Sequence, residues 1–119
     1  MNEWQKIKQR AAWSWQGWAH VWRTEASLQQ WIWANVVSIA FALYLPLTGG
    51  ERAVVLMGGI FVLAVECLNT AIERVVDDIS TDHRDRAGQA KDAGSAAVAI
   101  FAIGVALAWC AIIWRLLTS

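Results

Sequence analysis

The feature that most constrains this chain is a run of 22 residues, Ala93–Trp114, that contains no charged side chain. A helix needs about 20 mostly apolar residues to cross the hydrocarbon core of a bilayer, so this run predicts a membrane span over residues 93–115. Two further apolar stretches predict spans over residues 28–47 and 53–72. Because only helices and closed barrels satisfy their backbone groups in lipid, we expect an all-α membrane protein with three transmembrane helices.

The composition supports a protein solvated by lipid. The chain of 119 residues is 57% apolar and 17% charged, whereas soluble domains average about 45–50% apolar and about 25% charged. The apolar content excludes a disordered chain, and a net charge of zero without a basic stretch argues against nucleic acid as the main partner. We therefore expect a single integral-membrane domain over residues 1–119.

The basic residues predict the orientation of the spans. Eight of the ten lie before the first span or between the second and third: Lys6, Lys8, Arg10, Arg23, Arg74, Arg84, Arg86 and Lys91. Because cytoplasmic segments are enriched in Lys and Arg, the N-terminus and the polar loop 73–92 are expected to be cytoplasmic. The C-terminus is then expected outside, in a multi-pass protein of the cytoplasmic (inner) membrane.

Residues 3–23 have the pattern of an amphipathic helix that lies on the membrane surface. Apolar residues recur at steps of three or four along one face: Trp4, Ile7, Ala11, Trp15, Trp18 and Trp22. Charged and amide side chains fall largely elsewhere, as in other interfacial helices. A fourth buried helix is disfavoured because its Lys and Arg side chains would need partners in lipid.

The most informative polar pattern lies at the cytoplasmic end of the second span. At 100° per residue, Glu66, Glu73 and Asp77 share one stripe of a helix, and Asn69 lies beside it. An isolated charge in lipid costs several kcal/mol, so Glu66 must face protein, water or a cation. For Asp77, a solvated helix end is nearly as good an explanation.

Carboxylates together with an amide form the hard-oxygen site that magnesium prefers. Glu25, just ahead of the first span, could supply another oxygen ligand, and Lys91 begins the third span at the same membrane depth. Magnesium near a Lys suggests a nucleotide phosphate, although a Lys that extends to the interface is an equally ordinary interpretation of Lys91. This chemistry leaves the substrate unspecified.

Two strings resemble the signature of the small prokaryotic diacylglycerol kinases. They are Glu66-Cys-Leu-Asn69-Thr-Ala-Ile-Glu73-Arg-Val-Val-Asp77 and Ala90-Lys91-Asp92-Ala-Gly94-Ser95-Ala-Ala-Val98. The resemblance implies a kinase that phosphorylates the hydroxyl of diacylglycerol with magnesium and ATP, giving phosphatidic acid. It also implies an interfacial helix plus three spans, assembled as a homotrimer whose active sites are shared between protomers.

The resemblance also implies roles for individual residues. Glu66 looks like the general base, Asn69 like a residue that orients the site, and Glu25 and Glu73 like the magnesium ligands that bridge to ATP. The implied ATP contacts are Lys91, Asp92, Glu25, Glu73, Asp82, His83, Arg84, Lys6 and Trp13. The implied lipid contacts are Glu66, Ser95, Arg10, Ser14, Trp15, Trp109 and Trp114.

The chain departs from the family pattern at two positions, and two other functions compete. Trp13 replaces an expected Tyr, and Trp31 stands where close relatives carry an acid, so no catalytic role is expected at position 31. An undecaprenol kinase on the same scaffold is the close rival, disfavoured by the Gly94-Ser95 sequence. A non-enzymatic transporter subunit would explain a buried Glu66 but not the other polar residues gathered near it.

Overall fold

The computed structural model describes residues 1–119 and is all-helical, as the sequence predicts. The four helices are α1 (Glu3–Thr24), α2 (Ala26–Tyr44), α3 (Gly49–Ile79) and α4 (Asp85–Thr118). By length and composition, α3 and α4 could each cross a membrane. These two helices carry the polar residues that the sequence singles out, apart from those near the N-terminus and those at residues 82–84.

A single residue, Glu25, separates α1 from α2. Its extended backbone (φ −119°, ψ 108°) ends α1 and begins α2, while its N–H still donates to the carbonyl of Val21 at 2.9 Å. At the other end of α1, Asn2 and Gln5 form a reciprocal capping box that satisfies two exposed N–H groups. The observed α1 agrees with the amphipathic helix predicted over residues 3–23.

The helix formed by the first apolar stretch is shorter than the span that the sequence predicts. The helix stops at Tyr44, because Pro46 disfavours the α conformation at Leu45, whose ψ is 153°. Thr48 then caps α3 in a second capping box with Glu51. Residues 45–47 of the predicted span 28–47 are therefore not helical.

An ion pair between Glu51 and Arg115 joins this connection to the end of α4. Both carboxylate oxygens of Glu51 accept hydrogen bonds from Arg115, at 2.6 and 2.7 Å, and Arg115 reaches the carbonyl of Pro46 as well. These bonds, with those from the Thr48 backbone, lower the pKa of Glu51 to about 2. The pair therefore remains ionised at neutral pH.

The prediction of a polar loop over residues 73–92 is wrong in its extent. The α3 helix continues to Ile79 and α4 begins at Asp85, so only residues 80–84 connect them. Arg84 stabilises this short connection by donating to the carbonyls of Val76 and Ser80 at the end of α3. A cation near the last carbonyls also interacts favourably with the helix dipole. The polar residues on both sides of the loop are thereby held on helices.

The helices pack closely where small residues permit it. A side chain at Gly59 would meet Asn35 of α2, and one at Gly58 would meet Val105 of α4. A small apolar cluster closes the end near Pro46; it consists of Ala42, Leu47, Val55 and Ile112. Only 13 of 119 residues are buried, so most apolar side chains face outwards, as expected for helices solvated by lipid.

Candidate active site

Glu66 is a buried carboxylate that α2 and α3 enclose together. It is 4% exposed, and Oε1 accepts a hydrogen bond from the hydroxyl of Ser27 at 2.8 Å. The antiparallel α2–α3 hairpin explains the contact, since Ser27 lies 20 residues before Leu47 and Glu66 lies 19 residues after it. The structure thus places Glu66 against protein, one of the environments that its sequence context requires.

Asn69 and Glu73 form the next level of the polar stripe. The amide Nδ2 of Asn69 donates to Oε1 of Glu73 at 3.2 Å, and Asn69 is itself 7% exposed. Its Oδ1 atom is buried without a hydrogen-bond partner and lies against Gly94 of α4, where a Cβ atom would collide with it. Gly94 therefore allows α4 to approach the amide closely.

Glu25 is held by Arg74 of α3. The guanidinium group donates to Oε1 of Glu25 at 2.8 Å and to the hydroxyl of Thr24 at 2.9 Å, and its other terminal nitrogen lies 2.7 Å from Nε2 of His20. Because Arg74 directly follows Glu73, these contacts bring the junction of α1 and α2 to the polar part of α3.

Lys91 pairs with Asp77 beside the loop that joins α3 to α4. The Nζ atom of Lys91 lies 2.6 Å from Oδ1 of Asp77, in a half-exposed ion pair. Both residues line a cavity of about 230 Å³ together with Asp82, His83 and Arg84. Arg84 is fixed by its bonds to α3 and keeps its Nε atom buried without a partner. The loop residues predicted to contact nucleotide therefore lie with Lys91 at one cavity.

The carboxylates do not form a preassembled metal cage. No group of three or more His, Cys, Asp or Glu side chains lies close enough together to hold a metal ion. The two predicted ligands share one feature: Oε1 of Glu25 and Oε1 of Glu73 accept a hydrogen bond, whereas neither Oε2 atom makes one. Each carboxylate is thus oriented by a neighbour and keeps one oxygen available.

The remaining predicted residues make no hydrogen bond to Glu66. Lys6 pairs with Glu3 at 2.8 Å, and the hydroxyl of Ser14 donates to the carbonyl of Arg10, so both contacts stay within α1. The indole of Trp109 donates to Ser38 of α2 at 2.9 Å. Five other predicted site residues are exposed at the surface: Trp13, Trp15, Asp92, Ser95 and Trp114.

Sequence reasoning missed two residues that contact the predicted site, Ser27 and Arg74. Ser27 and Glu66 lie at nearly equal distances along the chain from the turn at Pro46, so an antiparallel α2–α3 hairpin would have predicted their contact. Nothing in the sequence marks Arg74 as a partner of Glu25, since these residues are 49 positions apart and the path of α1 depends on the break at Glu25. From the sequence alone, Arg74 is only one of the eight basic residues expected on the cytoplasmic side.

Comparison with known proteins gives relatives along nearly the whole chain. A family model described as prokaryotic diacylglycerol kinase matches residues 12–113. The chain is 36% identical over 109 residues to the diacylglycerol kinase of Escherichia coli (strain K12), covering 92% of this chain and 89% of that one. It is 34% identical over 108 residues to the diacylglycerol kinase of Pseudomonas aeruginosa, covering 91% and 88%. The undecaprenol kinase of Bacillus subtilis (strain 168) is 51% identical over 48 residues, which cover 40% of this chain and 37% of that one.

Proposed function

Because the chain belongs to the prokaryotic diacylglycerol kinase family, we propose that it transfers the γ-phosphoryl group of ATP to diacylglycerol, giving phosphatidic acid. The observation that carries this proposal is the buried, hydrogen-bonded Glu66, which lies about 10 Å deeper along α3 than Glu73. A base at that depth suits a hydroxyl anchored in lipid, while the outer carboxylates suit a nucleotide in water. The family assignment leaves the transporter subunit without support.

The membrane arrangement that we propose adds α2 as a third span, with α1 on the cytoplasmic surface of the inner membrane. Residues Ala26–Tyr44 carry no charged side chain, and a helix of 19 residues is about 28 Å long, close to the hydrocarbon thickness. The cytoplasmic excess of Lys and Arg supports an N-terminus inside and a C-terminus outside.

We propose that the working form is a homotrimer whose protomers share active sites. The outward-facing surfaces of α4 support this proposal, because Ala93, Ala97 and Gly104 are exposed and would let another helix approach closely.

In the proposed reaction, Glu66 accepts the proton of the lipid hydroxyl through Oε2, since Ser27 occupies Oε1. The hydroxyl oxygen forms a bond to the γ-phosphorus, the bond from that phosphorus to the β–γ bridging oxygen breaks, and ADP leaves. Ser27 orients the carboxylate and Asn69 orients Glu73, so little rearrangement is needed before transfer. Phosphoryl transfer depends mainly on such positioning and on charge neutralisation.

The donor set fits magnesium. The ion is commonly held by one or two carboxylates together with substrate phosphates, and Glu25 and Glu73 each keep one free oxygen for that purpose. Glu25 and Glu73 would hold the ion, which when bound would supply charge neutralisation at the phosphate groups.

For the nucleotide, we propose contacts at the cavity between α3 and α4. Lys91 would exchange Asp77 for a phosphate oxygen, and Asp92 would lie beside the same phosphates. The loop residues Asp82, His83 and Arg84 border the cavity and would contact the rest of the nucleotide. On α1, Lys6 and Trp13 would add further contacts to the nucleotide.

For the lipid, we propose a cleft that leads to Glu66 between the helices. Arg10, Ser14 and Trp15 would line it at the membrane surface, and Ser95 would lie near the reacting end. Trp109 and Trp114 would border the acyl chains towards the opposite end of α4, where the Trp109 indole is already anchored on Ser38.

Phosphorylation of undecaprenol is the second candidate, because a segment of 48 residues is 51% identical to an undecaprenol kinase. The comparison with diacylglycerol kinases covers 92% of the chain and favours diacylglycerol. The test offers both lipids in mixed micelles with labelled ATP, with and without magnesium. Label in phosphatidic acid that requires magnesium is the expected result, and label only in the polyprenyl product would reverse the assignment.

A further inference from the structure

Arg74 is a cation in contact with the predicted metal site, and no step of the proposed reaction uses it. Its guanidinium group bridges three side chains at the junction of α1 and α2: His20, Thr24 and Glu25. It is 44% exposed and Glu25 is 27% exposed, so the pair lies at the border between protein and water. An exposed ion pair contributes little to the free energy of unfolding by itself. Stability therefore does not explain why Arg74 contacts all three side chains.

The geometry of the pair leaves Glu25 able to bind a cation without releasing Arg74. Only Oε1 of Glu25 accepts from the guanidinium group, and Oε2 makes no hydrogen bond. Glu73 is held in the same manner, with Asn69 donating to Oε1 only. Each predicted ligand therefore has its own orienting donor on α3.

We propose that Arg74 is a positioning residue for the divalent cation, which holds Glu25 through Oε1 so that Oε2 faces the metal. This inference rests on the proposed function, because it takes Glu25 as a magnesium ligand. Hydrogen-bond donors to ligating carboxylates fix the orientation of the ligand, and their loss lowers metal affinity or activity by about 10- to 100-fold. Arg74 also offsets the negative charge of Glu25 before the metal arrives.

A second consequence follows for the surface helix. No other side-chain hydrogen bond or ion pair joins α1 to α3, so Arg74 alone ties the last turn of α1 to the helix that carries Glu66 and Glu73. The planar guanidinium group can reach Glu25, Thr24 and His20 together, whereas an ammonium group on a flexible chain lacks this fixed fork. The position of Glu25 therefore depends on how α1 lies against α3.

The test compares full-length wild type, Arg74→Ala, Arg74→Lys and Arg86→Ala in mixed micelles. Arg86 lies in the first turn of α4, is exposed and forms no ion pair or side-chain hydrogen bond, so Arg86→Ala removes the same charge as a matched control. The first readout is the affinity for Mn²⁺ in the presence of a non-hydrolysable ATP analogue, from the electron paramagnetic resonance signal of free Mn²⁺. The second is the magnesium concentration that gives half-maximal activity, measured separately from kcat.

We expect Arg74→Ala to weaken Mn²⁺ binding and to raise the half-saturating magnesium concentration by about 10- to 100-fold. Arg74→Lys should fall between Ala and wild type, and Arg86→Ala should match wild type. Equal Mn²⁺ affinity in wild type and Arg74→Lys and Arg74→Ala would overturn the proposal, and so would tighter binding in Arg74→Ala, which would make Arg74 a competitor of the metal. A wild type that binds the Mn²⁺–nucleotide complex but phosphorylates no lipid would instead refute the proposed function.

Discussion

Ser27 donates its hydroxyl hydrogen to Oε1 of Glu66 across 2.8 Å, which ties the first turn of α2 to a buried carboxylate of α3. The bond joins residues 39 positions apart and leaves Oε2 of Glu66 as the oxygen proposed to accept the proton. A carboxylate with one oxygen fixed in this way presents the other in a defined direction. The bond therefore matters for geometry at least as much as for stability.

Replacing Ser27 with Ala should lower kcat by about 10- to 100-fold, because a hydrogen bond to a charged group contributes about 1.5–3 kcal/mol. The loss should appear in kcat more than in the KM for ATP, since the nucleotide contacts lie elsewhere. Steady-state assays of both parameters in mixed micelles measure the effect. Ser27→Thr keeps the hydroxyl and serves as the control. An unchanged kcat in Ser27→Ala would remove Ser27 from the site.

Replacing Glu66 with Gln should leave the helices intact but reduce lipid phosphorylation by about 10²- to 10⁴-fold, the usual contribution of a general base. The amide is of nearly equal size and can still accept a hydrogen bond from Ser27, so little structural damage is expected. Circular dichroism and gel filtration check the fold, and labelled ATP checks the reaction. Full activity in this variant would exclude Glu66 as the base.

Replacing Gly94 with Ala should impair the site through Asn69. The added methyl group would collide with Oδ1 of Asn69, so the amide would have to move and its bond to Glu73 would weaken. We expect a lower kcat and a higher requirement for magnesium. Gly50→Ala, in the first turn of α3 and away from the proposed contacts, is the matched control, since nothing lies within 4 Å of the added atom. Equal losses in both variants would contradict the explanation.

The Glu51–Arg115 pair should make thermal stability depend on pH at the acidic end. The pKa of Glu51 is lowered from 4.5 to about 2, so its contribution is complete above pH 4.5 and is lost as pH falls through 2. Glu51→Gln should therefore reduce the Tm at pH 7, and the difference from wild type should shrink as pH approaches 2. Circular dichroism in detergent micelles measures both, and a difference that stays constant down to pH 2 would refute the coupling.

Much of the polar stripe could be predicted from the sequence, because it depends only on helical periodicity within α3. Glu66 breaks an apolar run and must meet a partner, and Asn69 and Glu73 follow at helical spacing. The identity of the partners could not be predicted in the same way. The Ser27 contact depends on the register of the α2–α3 hairpin, and the Arg74 contacts depend on where α1 lies after the break at Glu25.

The extent of the loop between α3 and α4 also escaped the sequence analysis. Polar residues over 73–92 predicted a loop, but a polar surface is compatible with helix outside the bilayer. The two helices are joined by five residues, 80–84, and Arg84 holds this connection by donating to the carbonyls of Val76 and Ser80. Hydropathy predicts which residues lie within the bilayer, but it does not predict where the helix itself ends.

The small number of buried residues has a consequence for how this molecule holds its shape. With 13 of 119 residues enclosed by the chain itself, most apolar side chains must take their neighbours from surrounding hydrocarbon or from other protomers. Lipid thus acts as a structural component that is exchanged whenever the membrane changes. The free energy of unfolding is then a joint property of protein and bilayer, and a change in acyl-chain length can alter it as a core substitution would in water.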